Sequence, residues 1–322
     1  MLDSPTKTLR TRAVGIIFPR RTIKKSMSEP ATEQQKQKEV EQFWNAKPCD
    51  SDTSDEAMYS REYFEDIEKE RYRLQSHILD LLKSIDFKDK KVLEIGTGVG
   101  TDARTIISLG GLYHGINVDS GSAEMTRTAL KEFGVVGDVR QASALEIPFE
   151  DEHFDIVYSF GVLHHIPEVD KAITEIYRVL KPGGQLVIML YNKPSINYQV
   201  EIRRMRKWGL GVIGLPGMVG LLGKLGLPKA KLQRHLELHR ASGKMSDEEW
   251  LSRNTDGPDN PYSKVYDAAE TEALLRDFKN IEQDVKFFDY RHWGPLGKVT
   301  PKGMRKSLGS KWGWHRIVKA TK

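Results

Sequence analysis

A short hydrophobic run that leads directly into three closely spaced glycines constrains the fold of this chain more than any other feature. Residues 92–95 have the apolar character of a buried strand, and Gly96, Gly98 and Gly100 follow them. Glycine permits a tight turn and lets the backbone approach a ligand closely at the start of the next helix. The run therefore predicts a strand, a ligand-binding turn and a helix.

Short apolar segments alternate with helical patterns after this point. Strands are predicted at 92–96, 113–119, 139–143, 154–160 and 185–192, with helices at 101–109, 122–133 and 168–180. The alternation stops over 193–262 and resumes with a helix at 267–278 and strands at 281–290 and 312–321. Strands that alternate with helices predict a doubly wound, largely parallel α/β sheet. Upstream, 61–85 has the apolar periodicity of one long helix.

The glycine spacing and two acidic residues indicate the kind of ligand. The spacing is Gly-x-Gly-x-Gly, and Thr101 stands where a dinucleotide-binding motif has its third glycine. Glu94 at the strand end would repel a pyrophosphate, but it suits a ligand with ammonium and sulfonium groups, such as S-adenosylmethionine (SAM). Asp119 ends the next strand, where a carboxylate can accept hydrogen bonds from ribose hydroxyls.

Residues 91–192 resemble the class I SAM-dependent methyltransferases, and within them the small-molecule group that includes quinone and sterol C-methyltransferases. The resemblance rests on five ordered motifs, at 92–100, 117–119, 144–149 with 154–157, 162–166 and 178–184. It implies a Rossmann-like sheet of seven strands whose last strand is antiparallel. It also implies SAM as the cofactor and a small molecule as the methyl acceptor.

The resemblance further implies a set of cofactor contacts. Glu94 and Gly96 would lie against the methionine part of SAM, Asp119 on the ribose, and Ser143 with Ala144 beside the adenine. The family usually has Asp in place of Ser143, so here a hydroxyl oxygen would accept from the adenine amino group instead of a carboxylate. The predicted cofactor-binding residues are Tyr59, Tyr63, Glu94, Gly96, Thr97, Gly98, Gly100, Asp119, Ser120, Ser143, Ala144, Leu145 and Phe160.

The predicted roles of two tyrosines and two histidines rest on weaker sequence patterns. Tyr59 and Tyr63 precede the core, where relatives place a helical lid over SAM, although core packing explains an aromatic stripe equally well. His164 and His165 are the candidate catalytic bases, because a base is needed when the acceptor must lose a proton. A purely structural role for both histidines is the alternative.

Basic residues are concentrated in two later segments. Residues 203–244 hold ten Lys and Arg against one acid, Glu237, and 298–322 hold eight with no acid. Such segregation predicts a surface that meets an anionic partner, with solvated basic faces as the alternative. The Asn/Asp-Pro-Pro-Tyr signature of amino-directed DNA methyltransferases is absent after 154–158, where Ser159-Phe160-Gly161 stands. Nucleic acid is therefore the less favoured partner.

The segment that interrupts the alternation predicts an inserted cap. Arg203, Arg204, Arg206 and Lys207 lead into the apolar, glycine-rich stretch 209–228, which is too short and broken to cross a membrane. It is interpreted either as an interfacial segment on an anionic membrane or as a cap packed on the core or on another copy in a homo-oligomer. The candidate substrate residues are Tyr191, His235, His239, Tyr262 and Tyr266, and no spacing among them is diagnostic of a metal site.

These patterns divide the chain into five predicted parts. They are a basic leader at 1–26 without regular structure, a helical lid at 27–90, the SAM-binding core at 91–192, the cap at 193–263 and the rest of the core at 264–322. The predicted function is methyl transfer from SAM to a small, apolar or lipid-like acceptor. The alternatives are an RNA methyltransferase that uses the basic cap and tail, and a non-catalytic SAM-binding scaffold. A single cysteine, Cys49, favours the cytoplasm, with a peripheral membrane position as the alternative.

Overall fold

The computed structural model describes residues 32–46, 51, 53–225, 227, 229–243, 245–293, 297 and 299–322. The predicted leader, 1–26, lies outside the described residues. Thr32–Lys322 form one unit of the chain. Its helices and strands agree closely with the sequence patterns, with exceptions in the lid and in the cap.

Eight strands of the described residues form one sheet, and its main path runs β3-β2-β1-β4-β5-β8-β7. The strands are β1 (Lys91–Ile95), β2 (Leu112–Asn117), β3 (Asp138–Gln141), β4 (Phe154–Phe160), β5 (Leu180–Asn192), β6 (Val265–Tyr266), β7 (Lys279–Lys286) and β8 (His315–Thr321). Strands β1 to β5 pair in parallel, whereas β8 lies antiparallel between β5 and β7. The predicted α/β sheet with an antiparallel last strand is confirmed. The two-residue β6, which pairs with β5, adds a strand that the sequence did not predict.

Helices cover both faces of this sheet. They are α4 (Thr101–Ser108), α5 (Ser120–Glu132), α6 (Val169–Val179), α11 (Ala268–Leu274) and α12 (Lys302–Trp312). Neighbouring residues of β1 point to opposite faces, yet Val92 and Leu93 are both fully buried. A parallel strand covered on both faces needs a continuous hydrophobic run, which explains why β1 and β4 were recognisable from the sequence.

The segment predicted as the lid contains three helices, two of which lie in the range 61–85, where the sequence predicted one long helix. These are α1 (Glu33–Ala46), α2 (Arg61–Leu74) and α3 (Ser76–Lys83). The prediction was wrong because the backbone leaves the helical region at Gln75, with φ −126° and ψ 54°. Phe64 of α2 packs with Val99 and Met125, whereas Ile78 of α3 belongs to a different hydrophobic cluster. Packing on two separate surfaces requires the change of direction at Gln75.

The segment between β5 and β6 forms the cap. It begins with a wide π-helical stretch, Asn197–Met205, and continues through α7 (Arg206–Ile213), α8 (Met218–Lys224), α9 (Lys229–Ser242) and α10 (Asp247–Arg253). Trp250 anchors the cap, because its indole N–H donates to the carbonyl oxygen of Ile202 at 2.8 Å and its side chain is buried. Glu201, also buried, accepts a hydrogen bond from Arg206.

The parallel strands place their carboxyl ends along one edge of the sheet. Ile95, Asn117, Phe160 and Asn192 end β1, β2, β4 and β5 there. In open α/β sheets this edge is where ligands bind, at the point where neighbouring connections diverge. The lid helices and the cap both contribute residues at this edge, so it is the place for the candidate site.

Candidate active site

The turn after β1 has a backbone conformation that glycine adopts without strain. Gly96 and Gly98 have φ angles of +79° and +55°. A Cβ atom at Gly96 would lie 2.2 Å from Cγ2 of Val162, which is a clash. A Cβ atom at Gly98 would meet no described atom within 4 Å, so this glycine faces open space. The turn therefore leaves bare backbone at the start of α4, where a ligand can approach closely.

A cavity of about 370 Å³ begins at this turn and extends across the carboxyl ends of β4 and β5. Its volume falls within the range of small-ligand sites. The predicted site residues in its wall are Glu94, Gly96, Thr97, Gly98, Asp119, Ser143, Ala144, Phe160, His165 and Tyr191. The fold thus brings these separate motifs together around one space, while their roles as ligand contacts stay predictions.

The predicted lid tyrosines lie elsewhere. Tyr63, which belongs to α2, is buried in the core. Its hydroxyl donates to the carbonyl oxygen of Ser51 at 2.8 Å. Tyr59 is exposed on the surface and is not among the described residues of the cavity wall. The lid reaches the cavity through Gln37, Val40 and Trp44 of α1 and through Arg71 of α2. Tyr59 and Tyr63 are therefore not among the lid residues that border the described cavity.

Several other predicted residues also lie outside the described part of the wall. They are Gly100, Ser120, Leu145, His164, His235, His239, Tyr262 and Tyr266. Gly100 caps α4 and packs against α5, close to Thr126 and Ala129. Tyr266 is buried in the hydrophobic cluster beside β5. The structure thus leaves Tyr191 as the predicted substrate residue that borders the cavity.

The two adjacent histidines have different environments. His164 is completely buried against the ring of Tyr191, with ring centroids 3.7 Å apart, and burial holds its pKa well below the ordinary value. Burial thus favours the neutral form of this ring, which packs on Tyr191 outside the described part of the cavity wall. His165 borders the cavity, and its ring meets the edge of Trp44 at 5.3 Å. Only the second histidine is placed to act on a ligand.

Two buried carboxyl groups lie near the glycine turn, on the side of the cavity where the sequence predicts the cofactor. This part of the wall is called the cofactor side. Glu94 accepts a hydrogen bond from the Tyr113 hydroxyl at 2.5 Å. Asp102, at the start of α4, accepts from Arg71 at 2.8 Å and from the Tyr158 hydroxyl at 3.0 Å. Burial, and next the negative charge of Asp102, raise the pKa of Glu94 from 4.5 to about 8. The cavity wall therefore holds a carboxyl group whose ionisation a bound cation would favour.

Asp119 and Ser143 complete this side. Asp119 is buried and caps α5 by accepting from the backbone N–H of Ser122 at 2.6 Å. A carboxylate can accept several hydrogen bonds, so Asp119 can cap the helix and still accept a hydrogen bond from a ligand. The hydroxyl oxygen of Ser143 accepts from the backbone N–H of Leu145 at 3.2 Å, which orders the loop after β3.

The opposite side of the cavity contains residues that the sequence did not single out. Met189, Phe287 and Trp314 supply apolar surface, and Trp314 stacks on Tyr191 with ring centroids 4.2 Å apart. Polar groups come from the cap and from the C-terminal part of the core, namely Asn197, Glu201, Asn254, Thr255, Asp256, Asp289, Arg291 and His315. These residues are far apart in the sequence and follow no short motif, so only the fold reveals them.

A family model described as a methyltransferase domain matches residues 93–188. The chain contains a class I SAM-dependent methyltransferase domain. The match lies on β1 to β5 and on the glycine turn, and it confirms the family resemblance that the five motifs indicated. SAM is the cofactor that domains of this class use.

Curated relatives match about a third of this chain. A ubiquinone/menaquinone biosynthesis C-methyltransferase from Psychromonas ingrahamii is 35% identical over 113 residues, which cover 33% of this chain and 45% of that protein. Phosphoethanolamine N-methyltransferase 2 from Caenorhabditis elegans is 38% identical over 114 residues, covering 34% of this chain and 25% of that protein. The matches thus span less than half the length of these relatives.

A solved SAM-dependent methyltransferase from Aquifex aeolicus is also similar, with a TM-score of 0.45 and 15% identity. The alignment covers 81% of this chain and 98% of that one.

The acceptor groups of the cavity suit SAM. SAM presents an ammonium group, a sulfonium group and two ribose hydroxyls, and the wall holds Glu94 and Asp119 as acceptors. The open space over Gly98 admits a ligand against bare backbone. The cavity wall therefore holds acidic groups next to bare backbone, which is the kind of surroundings that a cationic ligand with ribose hydroxyls would need.

The raised pKa of Glu94 predicts a pH dependence of stability. Between about pH 4.5 and about pH 8 the unfolded chain loses the Glu94 proton while the folded chain keeps it. The free energy of unfolding of the ligand-free wild type should therefore fall with rising pH, relative to Glu94→Gln, across this window. Urea unfolding of both proteins near each end of the window measures the difference.

The exposed pair Glu124–Arg127 offers a matched control, because the Glu124 side chain is 66% exposed. Glu124→Gln should follow the wild-type pH profile. Parallel profiles for the wild type and Glu94→Gln would show that Glu94 ionises as freely in the folded state as in the unfolded chain.

Proposed function

We propose that this chain is an enzyme that transfers a methyl group from SAM to a small-molecule acceptor. The observation that supports it best is the continuity of the cavity. One space joins the glycine turn and the acids of the cofactor side to the aromatic side formed by Tyr191, Phe287 and Trp314. A cavity of about 370 Å³ suits a small ligand pair better than a folded RNA.

We propose the cofactor contacts from the residues that border the cavity. Glu94 and Gly96 hold the methionine part, Gly98 lies beneath it, and Asp119 accepts from the ribose hydroxyls. Ser143 and Ala144 flank the adenine. When bound, SAM supplies an electrophilic methyl group.

The task of the protein in this proposal is alignment. Holding two reactants in a reactive geometry can supply about 7–11 kcal/mol of the barrier. Phe160, at the end of β4, borders the cavity, and its ring centroid lies 5.4 Å from that of His315. The aromatic side favours an acceptor with an apolar body, and the polar groups beside it favour one that also carries a polar group.

The first test identifies the acceptor class. The wild-type protein is incubated with methyl-labelled SAM and a cell extract divided into lipid, small-molecule, RNA and protein fractions. We expect label in the small-molecule or lipid fraction, because the cavity admits an acceptor of that size. Label confined to the RNA fraction would establish the alternative RNA methyltransferase, and label in no fraction would support a SAM-binding scaffold.

The second test examines the proposed ribose contact. Asp119→Ala should weaken SAM binding by about 1–3 kcal/mol, because a ribose hydroxyl loses its acceptor. Isothermal titration calorimetry with SAM measures the loss.

Loss of the helix cap at Asp119 could by itself disturb the site, and two variants separate the effects. Asp119→Asn keeps a side chain that caps helices well but removes the charge. Asp267→Ala removes the equivalent helix cap of α11, where the Asp267 side chain accepts from the backbone N–H of Glu270. Asp267 lies outside the described cavity wall. SAM affinity should survive in Asp267→Ala. Unchanged affinity in Asp119→Ala would remove Asp119 from the proposed site.

We also propose that the cap contacts an anionic membrane surface. The exposed side chains Trp208, Leu215, Leu221, Leu225 and Leu227 follow one another along α7, α8 and the adjoining turns, with exposures between 46% and 76%. Isolated exposed leucines are ordinary, but five large apolar side chains within twenty residues are typical of an interaction surface. No helix of the described residues is long and apolar enough to span a membrane.

The charge of the cap supports the choice of an anionic lipid surface. Arg203, Arg204 and Lys207 precede the apolar side chains directly, and Lys224 and Lys229 lie among and after them. Basic residues at such a surface contribute about 1 kcal/mol each to binding of anionic lipids. Lys207 already pairs with Asp247 at 3.0 Å, but this is an exposed pair that solvent screens.

The membrane proposal predicts flotation with vesicles that contain phosphatidylglycerol, and weaker flotation at high salt. The triple variant Trp208→Ser, Leu215→Ser, Leu225→Ser should lose flotation and keep its SAM affinity. Leu112→Ser with Val136→Ser is the matched control, because these residues are also exposed but lie in the core domain. No flotation of the wild type with anionic vesicles would end this proposal.

A further inference from the structure

A histidine and a carboxylate from distant parts of the chain meet on the acceptor side of the cavity. His165 lies in the short turn after β4, and Asp256 follows α10 in the cap. Nε2 of His165 is 3.4 Å from Oδ2 of Asp256, and both residues border the cavity. The sequence pattern pointed to His165 but not to Asp256.

The hydrogen bonds of the other ring nitrogen determine which nitrogen of His165 carries the proton. Nδ1 is 2.8 Å from the carbonyl oxygen of Tyr262, which can only accept, so Nδ1 carries the hydrogen. The hydroxyl oxygen of Ser263 lies 3.1 Å from the same nitrogen. In the neutral ring Nε2 is therefore unprotonated and available as a base.

The surroundings hold both members of the pair in place. The Tyr191 hydroxyl donates to both oxygens of Asp256, at 3.1 Å each. Ser263, beside the His165 ring, is held by its backbone N–H, which donates to the Ser252 hydroxyl at 2.8 Å. The His165 side chain is 3% exposed, so its orientation depends on these contacts and on the ring of Trp44.

The carboxyl group of Asp256 lies beside the nitrogen of His165 that would gain a proton. A positively charged imidazole is costly to bury unless an anion balances it. Oδ2 of Asp256 supplies that anion next to Nε2, the nitrogen that would gain the proton. Its side chain is 28% exposed, so the carboxylate keeps contact with the cavity.

We propose that the acceptor carries a removable proton on its reacting atom, as a hydroxyl or an amine does, and that Nε2 of His165 takes this proton. The proposal rests on the proposed function. SAM supplies the methyl group and leaves as a neutral thioether that keeps the electron pair of the broken bond. The acceptor atom forms the new bond with its lone pair, its proton moves to Nε2, and Asp256 positions the ring and balances the resulting imidazolium.

The first experiment reads the proton position without any acceptor. The full chain is labelled with ¹⁵N in its histidines, and the His165 signals are assigned by their loss in His165→Gln. At alkaline pH we expect a protonated-type shift for Nδ1 and an unprotonated-type shift for Nε2. Asp256→Asn should change the Nε2 shift and leave Nδ1 hydrogen-bonded. The opposite tautomer in the wild type would overturn the proposal.

The second experiment tests the acceptor class. The small-molecule or lipid fraction that accepts label is treated with acetic anhydride, which blocks hydroxyl and amine groups, and is then offered again with SAM. We expect the acceptor capacity to disappear, whereas a mock-treated fraction should keep it. Full capacity after acetylation would overturn the proposal.

Variant activities complete the test. His165→Gln should lower S-adenosylhomocysteine formation at saturating SAM by about 10²–10⁴-fold, the usual contribution of a base. Its SAM affinity by calorimetry should be unchanged, and Asp256→Asn should show a smaller loss of the same kind. His153→Gln, directly before β4 and outside the described wall, should behave as the wild type.

The outcomes separate this proposal from the proposed function. Wild-type activity in His165→Gln would show that His165 takes no proton. If no fraction accepts label from the wild type, the proposed function fails, and the tautomer measurement still decides whether Nε2 is a base.

Discussion

The position of the lid on the sheet depends on one buried carboxylate, that of Asp102. It lies in the first turn of α4 and accepts hydrogen bonds from Arg71 and Tyr72 of α2 and from Tyr158 of β4. A buried charge is tolerated only when it is paired and hydrogen-bonded, so these three donors must stay where they are. Because Arg71 and Asp102 also border the cavity, the same contacts that attach the lid shape the site.

This arrangement gives the cofactor side an excess of acid. Glu94 and Asp102 are both buried there, and Arg71 is the cation that pairs with Asp102. Glu94 consequently holds a proton more firmly than an exposed carboxyl group does. A cationic ligand that enters beside Glu94 replaces that proton in the charge balance, so its binding and proton release are linked.

The sequence was sufficient for the parts of the site that lie in short motifs. The glycine turn and Asp119 are recognisable because each comes just after a buried strand, and Glu94 because it is an acid within the apolar run of β1. The lid was harder, since the aromatic stripe of α2 was equally suited to packing, and Tyr63 indeed packs in the core. Trp44 and Val40, which do border the cavity, stand in a polar helix with little periodic signal.

The acceptor side could not be predicted because it is assembled from distant segments. His165 and Asp256 meet only through the return of the cap to β6, and no short motif joins them in the sequence. The change of direction at Gln75 was missed for a related reason. The helical periodicity continues through it, and the break is imposed by the two surfaces on which α2 and α3 pack.

The attachment of the cap has an evolutionary consequence. The cap leaves the sheet after β5 and returns at β6, and these strands pair side by side at Tyr191 and Val265. Its two ends are therefore neighbours, and the entropic cost of a loop with fixed ends grows only slowly with its length. Insertions, deletions or wholesale exchange of the cap would leave the strands that carry the cofactor motifs undisturbed. Proteins that descend from such a chain could change their methyl acceptor while they keep the same binding site for the methyl donor.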